Sequence, residues 1–292
     1  MEEIIKKKSG FAVIIGRSNA GKSTLLNALV GTKLAIATPK PQTTRHVIHG
    51  VFNDNRGQVV FVDTPGFLTE KRSPLTPKLT EKIKQSLHGV EVILYVVDPS
   101  RAIGQEEKRL ISLIRDLKLP KLFVINKIDM PSRELPYLEE YRALGASEGF
   151  TITIGVSALK HKHLKTLLTT LFEHLPEGEP IYPPEQITNI DQRFFISELI
   201  REKVFHTMGD EVPYSVTVRV EEMEERKDGT LYIRAVILTF AERYKKMIIG
   251  AHARKIKEVG ATVRKELELI NNRHVYVDLT VKVDTEWEKS FE

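Results

Sequence analysis

Hydrophobic positions along this chain follow two rhythms. In Phe11 to Ile15, Val59 to Val62, Val90 to Val97 and Leu122 to Ile125 they run almost unbroken, and Thr151 to Val156 reads as a further strand. Short runs of that kind read as strands buried on both faces. Between them the spacing lengthens to that of a helix, as in Thr24 to Val30 and Glu106 to Leu117. Leu164, Leu167, Leu168, Leu171, Phe172 and Leu175 make one face of a further helix. Strands alternating with helices predict an α/β domain, a mostly parallel sheet with helices on both faces. Gly31 ends the first helix, and Thr32 to His49 reads as a long loop passing into a strand. Phe67 to Pro77, rich in Thr, Ser, Pro and charge, reads as a mobile loop.

The rhythm breaks at Pro176-Glu177-Gly178-Glu179-Pro180-Ile181-Tyr182-Pro183-Pro184. Residues 177–190 are expected to be a linker between a first domain over 1–176 and a second over 191–292. In the second, Phe194 to His206 looks helical, and Ser215 to Val220 and Leu231 to Phe240 alternate like strands of a half-exposed sheet. Arg254 to Ile270 is helical, with Ile256, Val259, Val263, Leu267 and Ile270 on one face, and Val275 to Val283 alternates again. This is a smaller α+β domain.

Composition narrows the class without naming a function. The 292 residues are 41% hydrophobic and 28% charged, which describes a globular protein with a real core. Lys and Arg number 44 against 39 Asp and Glu, a net +5 that suits an anionic partner but is too mild to prove one. No cysteine is present, which excludes disulfides and thiolate metal sites and fits a reducing cytoplasm. The opening residues lack the apolar core of a signal peptide, and no apolar run approaches membrane-spanning length.

Chemistry enters where the first strand ends. Gly16-Arg17-Ser18-Asn19-Ala20-Gly21-Lys22-Ser23, followed by Thr24 and an amphipathic helix, is a phosphate-binding P-loop in the context the motif requires. Its glycines let backbone N–H groups close on the anion, Lys22 adds a cation, and the helix N-terminus adds its partial charge. Ser23 offers a hydroxyl to Mg²⁺. Asp63-Thr64-Pro65-Gly66 follows a second strand: the acid can hold Mg²⁺ through water, and the Gly66 N–H can sense the terminal phosphate. Asn126-Lys127-Ile128-Asp129 follows a third. A carboxylate at Asp129 accepts from both the ring N–H and the exocyclic amine of guanine, a donor pair that adenine lacks. Asn126 is expected to tie this loop to the P-loop, Lys127 to cover the base, and the Ser157-Ala158 backbone to meet the guanine carbonyl. The ligand is therefore expected to be GTP or GDP with Mg²⁺. Of Thr43 and Thr44, Thr44 is taken as the switch threonine. Phe67 stands where Ras-type enzymes use Gln to orient the attacking water, so another group must do that or turnover is slow.

These residues together resemble the Era family of bacterial GTPases. The matching pieces are Gly16 to Ser23, Gln42 to His46, Asp63 to Gly66, Asn126 to Asp129 and Val156 to Ala158. They continue through Glu198 to Lys203, Glu211 to Ser215 and Ile248-Ile249-Gly250, which covers almost the whole chain. The resemblance implies a GTPase domain followed by a KH domain of the second type. It also implies binding to small-subunit ribosomal RNA near its 3′ end and a role in assembling that subunit. It implies a monomer in the cytoplasm, with peripheral contact to the inner membrane left open. Some relatives with Asn at the position of Asn19 and an apolar residue after D-x-x-G hold K⁺ beside the phosphates. That makes K⁺ a second candidate cation here, against an Asn that only braces the loop.

KH domains clamp a nucleotide backbone with a G-x-x-G turn between two helices. Here the turn reads Gly250-Ala251-His252-Ala253, without the closing glycine. If the fourth position needs positive φ, Ala must strain or reshape it; if it already begins the next helix, Ala costs little, and we expect the second. From Arg243 to Arg273 there are nine Arg/Lys against three Glu, which fits an RNA face or an ordinary solvated helix equally. The RNA-binding set is expected to be Ile249, Gly250, Ala251, His252, Ala253, Arg254, Lys255 and Lys257. The rival reading is a GTP switch whose second domain docks protein or membrane instead.

Overall fold

The computed structural model describes residues 7–38, 40, 43–67, 75–208 and 215–287, with no side-chain description for Leu75. The chain divides into two compact units, Met1–Asn189 and Ile190–Glu292, each with its own core.

In the first unit, β1 (Lys8–Ile15) leads through the P-loop into α1 (Lys22–Val30). Next come β2 (Ile48–Asp54), β3 (Gly57–Asp63), α2 (Leu75–Gln85), β4 (Val92–Val97) and α3 (Gln105–Ile114). β5 (Lys121–Ile125), α4 (Leu138–Ser147), β6 (Ile152–Gly155) and α5 (Leu164–His174) complete it. The six strands form one sheet in the order β2-β3-β1-β4-β5-β6, parallel throughout except for the β2–β3 pair. β3, β4 and β5 are buried along their whole length, as the unbroken apolar runs require. The α/β expectation is therefore met. Each motif follows the carboxyl end of a strand, where open sheets of this kind place ligands.

Three details differ from the sequence reading. α2 starts at Leu75, inside the stretch expected to be loop; the rest of that stretch from Leu68 to Pro74 lies outside the described residues, as do Gln42 and Glu211 to Tyr214. α4 was not foreseen, because it buries only Tyr141 and Gly145 and so has almost no apolar period. The expected linker is tied down along β2. Gln58 is fully buried, and its side-chain oxygen accepts from the N–H groups of Ile181 (2.7 Å) and Tyr182 (2.9 Å) while its amide donates to the Tyr182 carbonyl (2.8 Å). Val51 N–H donates to the Ile187 carbonyl at 2.9 Å, and Gly50 bridges to Thr188 in antiparallel fashion. The segment thus covers the free edge of β2, which would otherwise be open to pairing.

The second unit runs α6 (Gln192–Thr207), β7 (Val216–Glu225), β8 (Leu231–Thr239), α7 (Glu242–Ile249), α8 (Arg254–Asn271) and β9 (Val275–Val283). Asp191 caps α6, accepting from Phe194 N–H at 2.7 Å. The sheet order is β7-β8-β9, with β7–β8 antiparallel and β8–β9 parallel. Val259, Val263 and Leu267 carry α8 onto the sheet, but Ile270 is 52% exposed and falls outside that stripe. β8 alternates only at its start and is buried on both faces from Ala235 to Thr239, unlike a half-exposed strand.

Candidate functional sites

The P-loop starts where β1 leaves the sheet. Gly21 sits at the head of α1 with φ 91°, and a Cβ there would lie 2.3 Å from the Asn126 amide nitrogen, so only glycine fits. Asn19 also adopts a left-handed conformation, with φ 64°. Lys22 is buried and donates to the Arg17 carbonyl at 3.1 Å across the loop. Burial pushes its ammonium down to about 8, against the pull of Asp63 and Glu106.

Three oxygens meet at the first turn of α1. Ser23 Oγ donates to Asp63 at 2.7 Å and lies 2.8 Å from Thr44 Oγ1. Burial raises the Asp63 carboxyl to about 6 despite Lys22 and the Ser23 bond, and its second oxygen is buried with no hydrogen-bond partner. Two hydroxyls and a desolvated carboxylate with a spare oxygen form a donor set that suits a hard divalent cation such as Mg²⁺. Thr43 turns elsewhere, its hydroxyl donating to the Lys40 carbonyl and lying 2.6 Å from Thr38 Oγ1. Among the described residues no group of three or more His, Cys, Asp or Glu could hold a metal.

The D-x-x-G segment is stitched to the P-loop. Phe67 N–H donates to the Gly16 carbonyl at 3.3 Å, and Ser18 N–H donates to the Phe67 carbonyl at 3.4 Å. A Cβ at Gly66 would lie 2.6 Å from Ser18 Cα. Thr64 Oγ1 donates to the Ile14 carbonyl at 2.8 Å, and Pro65 follows it in the turn. The Phe67 ring packs into the core with Val13, Ile15 and Val62.

Asn126 joins three loops, donating to the Ala20 carbonyl (3.0 Å) and accepting from the N–H groups of Lys127 (2.8 Å) and Ala158 (3.0 Å). Ser157 Oγ donates to Asp129 at 2.5 Å and also accepts from Lys160 N–H, which holds the carboxylate in place. Lys127 pairs with Asp98 at 2.5 Å. Burial alone would push the Asp98 carboxyl up, but its bonds to Lys127 and Ser100 hold it below its usual value.

Two sets of contacts at this site escaped the sequence reading, those of Arg17 and those of Arg101. Arg17 does not aim its side chain at the loop it belongs to. The guanidinium pairs with fully buried Glu107 of α3 at 2.9 Å and donates to the Ala102 carbonyl at 3.0 Å, while Tyr141 donates to the same carboxylate at 3.1 Å. Arg101 donates to the Ser18 carbonyl at 3.1 Å from the loop after β4. Neither partner is adjacent in sequence, and no local motif marks them.

In the second unit the G-x-x-G-like turn separates α7 from α8. Gly250 has φ 71°, and a Cβ there would press on Lys255 Cγ at 2.8 Å. His252 (φ 50°) and Ala253 (φ 60°, ψ 21°) are both left-handed. The expectation that Ala253 begins the helix with ordinary dihedrals is thus wrong, and its methyl sits in a conformation costing about 1–2 kcal/mol. Ala253 N–H donates to the Gly250 carbonyl at 3.2 Å, which closes the turn on itself. Ala251, His252 and Arg254 are exposed at its tip. A cavity of about 280 Å³ opens beside it, lined by Ile256, Lys257, Gly260 and Arg264 of α8 and by Tyr276 and Leu279 of β9. Gly260, Arg264 and Tyr276 were missed because only the packing of β9 against α8 brings them to one groove.

Comparison with known proteins fits this geometry. Residues 11–127 match the family model described as a 50S ribosome-binding GTPase, and residues 211–288 match that of the KH domain. The chain is 40% identical to GTPase Era of Halothermothrix orenii over 96% of its own length and 94% of the relative's. It is 41% identical, with the same coverage, to GTPase Era of Carboxydothermus hydrogenoformans. Two solved structures cover 97% of this chain and 96% of their own at 38% identity. They are Aquifex aeolicus Era bound to GDP and AlF4⁻, with a TM-score of 0.89, and Era with MgGDPNP and nucleotides 1506–1542 of 16S ribosomal RNA, with a TM-score of 0.90. On sequence along almost its full length, and on fold, this chain belongs to the Era family of GTPases.

Proposed function

We propose that this protein is a GTP-hydrolysing switch that binds small-subunit ribosomal RNA near its 3′ end and assists assembly of that subunit in the cytoplasm. The observation that carries the reading is the meeting of Ser23, Thr44 and Asp63 at the head of the P-loop, with the guanine-reading loop tied on through Asn126. Asp129, oriented by Ser157, accepts from the two N–H donors of guanine. Backbone N–H groups of residues 18 to 24 hold the phosphates, and Lys22 offsets charge on the transferring phosphoryl group. Ser23, Thr44 and Asp63 would hold Mg²⁺, which would supply charge neutralisation for the phosphates. Thr44 and Gly66 report the terminal phosphate, and its loss removes the contact that orders their two loops. K⁺ beside Asn19 is a further part of this reading, tested by comparing rates in K⁺ and Na⁺ at matched ionic strength.

In the second unit the turn from Ile249 to Ala253 and the basic start of α8, Arg254, Lys255 and Lys257, take the RNA backbone, with bases entering the α8–β9 groove. A relative solved with nucleotides 1506–1542 of 16S ribosomal RNA supports RNA as the ligand. The test is titration of RNA matching that fragment into wild type, Gly250→Asp and Lys22→Ala. Gly250→Asp should weaken binding at least tenfold, and Lys22→Ala should abolish GTP turnover while leaving the RNA-binding unit folded. RNA binding by Gly250→Asp at wild-type strength would refute the second half of the reading, and surviving turnover in Lys22→Ala the first.

A further inference from the structure

The outer corner of the second unit's sheet carries an arrangement that neither the G-x-x-G-like turn nor the P-loop accounts for. Tyr232 of β8 and Tyr276 of β9 are register partners on adjacent strands. Their rings are nearly parallel, 15° apart, with centroids 5.8 Å apart. Arg226, in the turn joining β7 to β8, lies 4.2 Å from the Tyr232 centroid and 5.5 Å from that of Tyr276. Tyr276 is 54% exposed, although a tyrosine buries much apolar area when it serves only a core. Tyr276 also borders the α8–β9 groove with Lys257 and Arg264, at the edge strand where the sheet's open face meets that groove.

We propose that Tyr276, backed by Tyr232 and Arg226, is a stacking platform for a nucleobase of the single strand where it leaves the α8–β9 groove. The inference rests on the RNA reading above and extends it. A KH groove grips about four nucleotides, so a longer strand must run on past its end. Bases leave water most readily onto an aromatic face, and any base has such a face to offer, so the platform tolerates sequence. Arg226 over the pair keeps the rings oriented and adds positive charge for the adjoining phosphate. A cross-strand tyrosine pair that only braces the sheet would not need one partner half exposed beside basic residues on the groove wall.

The decisive experiment uses the full chain and an RNA matching nucleotides 1506–1542 of 16S ribosomal RNA, with affinity followed against salt. Tyr276→Leu should lose roughly 5- to 160-fold, the range for one stacked base, and Tyr276→Phe should bind like wild type because the face remains. The slope of log affinity against log salt should stay unchanged in Tyr276→Leu. In Lys257→Ala it should fall by about one, since that side chain meets a phosphate. Tyr276→Trp should lose fluorescence when RNA binds. Wild-type affinity in Tyr276→Leu, or a loss that Tyr276→Phe shares fully, would overturn the platform. If Gly250→Asp also bound normally, the RNA reading itself would fall, and the two failures are thereby separated.

Discussion

Asp129 and Ala253 show how much one side chain can decide. The Asp129 carboxylate is held by Ser157 at 2.5 Å, so a change at this position alters what the loop reads more than how it folds. Asp129→Asn should move preference from guanine toward xanthine, because the amide presents a donor where guanine also donates and xanthine offers a carbonyl. Competition binding of GTP and xanthosine triphosphate reads this directly, and an unmoved preference for GTP would mean another group reads the base. Ala253 is the opposite case, a residue whose type disagrees with its backbone. At φ 60° an alanine is disfavoured and a glycine is not. Ala253→Gly should stabilise the second unit by about 1 kcal/mol once the greater freedom of the unfolded glycine is counted. For a unit of that size its melting temperature should rise by roughly 5 °C. An unchanged melting temperature would mean the turn relaxes around the methyl. The sequence named the missing glycine but not the dihedral, because dihedrals at a turn are imposed by the two helices it joins.

At the scale of elements, the strap over β2 is the part that composition misjudged. Prolines and glycines marked it as a break in the helical rhythm, and that much was legible. Its attachment was not, since the partner, Gln58, lies more than a hundred residues away in sequence. A chain ending at residue 176 takes both donors from the Gln58 side-chain oxygen, leaving its amide only Asn53, and opens the β2 edge, whereas one ending at 189 keeps these contacts. The shorter chain should be less stable by about 1–3 kcal/mol for each buried group left unpaired, read as a drop of several degrees in thermal unfolding. His49 gives the same contact a pH dependence. Its ring sits against Phe11 and Tyr182, with Nδ1 2.9 Å from the Tyr182 hydroxyl, and burial lowers its pKa below the ordinary value near 6.5. The unfolded chain therefore binds the proton more readily, and stability present above pH 6.5 should fall as the pH drops through that value. His49→Gln should flatten that segment of the stability profile; an unaltered profile would assign it to another group.

Across the whole molecule, each unit has its own core, and among the described residues the P-loop, D-x-x-G and N-K-x-D segments lie in the first. Thermal unfolding should therefore show two transitions, with GTP and Mg²⁺ raising only the first. At a hundredfold excess over Kd the gain is about 2.7 kcal/mol, and a single transition moving as one would contradict this independence. Among the described residues no helix is long and apolar enough to cross a membrane. Much of this was already determined by the sequence alone. Unbroken apolar runs specify strands buried on both faces, and glycine, lysine, serine and carboxylate at strand ends specify where a guanine nucleotide and its cation go. Such features are local, or recur at fixed spacing, so a linear string can carry them. Tertiary structure alone decided that Arg17 looks away to Glu107. It also decided that Phe67 joins the core, that the presumed linker covers a sheet edge, and that Tyr276 meets Tyr232 beside a basic groove. Each of those depends on pairing between residues distant along the chain, and such partners are chosen by packing and burial, which no local pattern records.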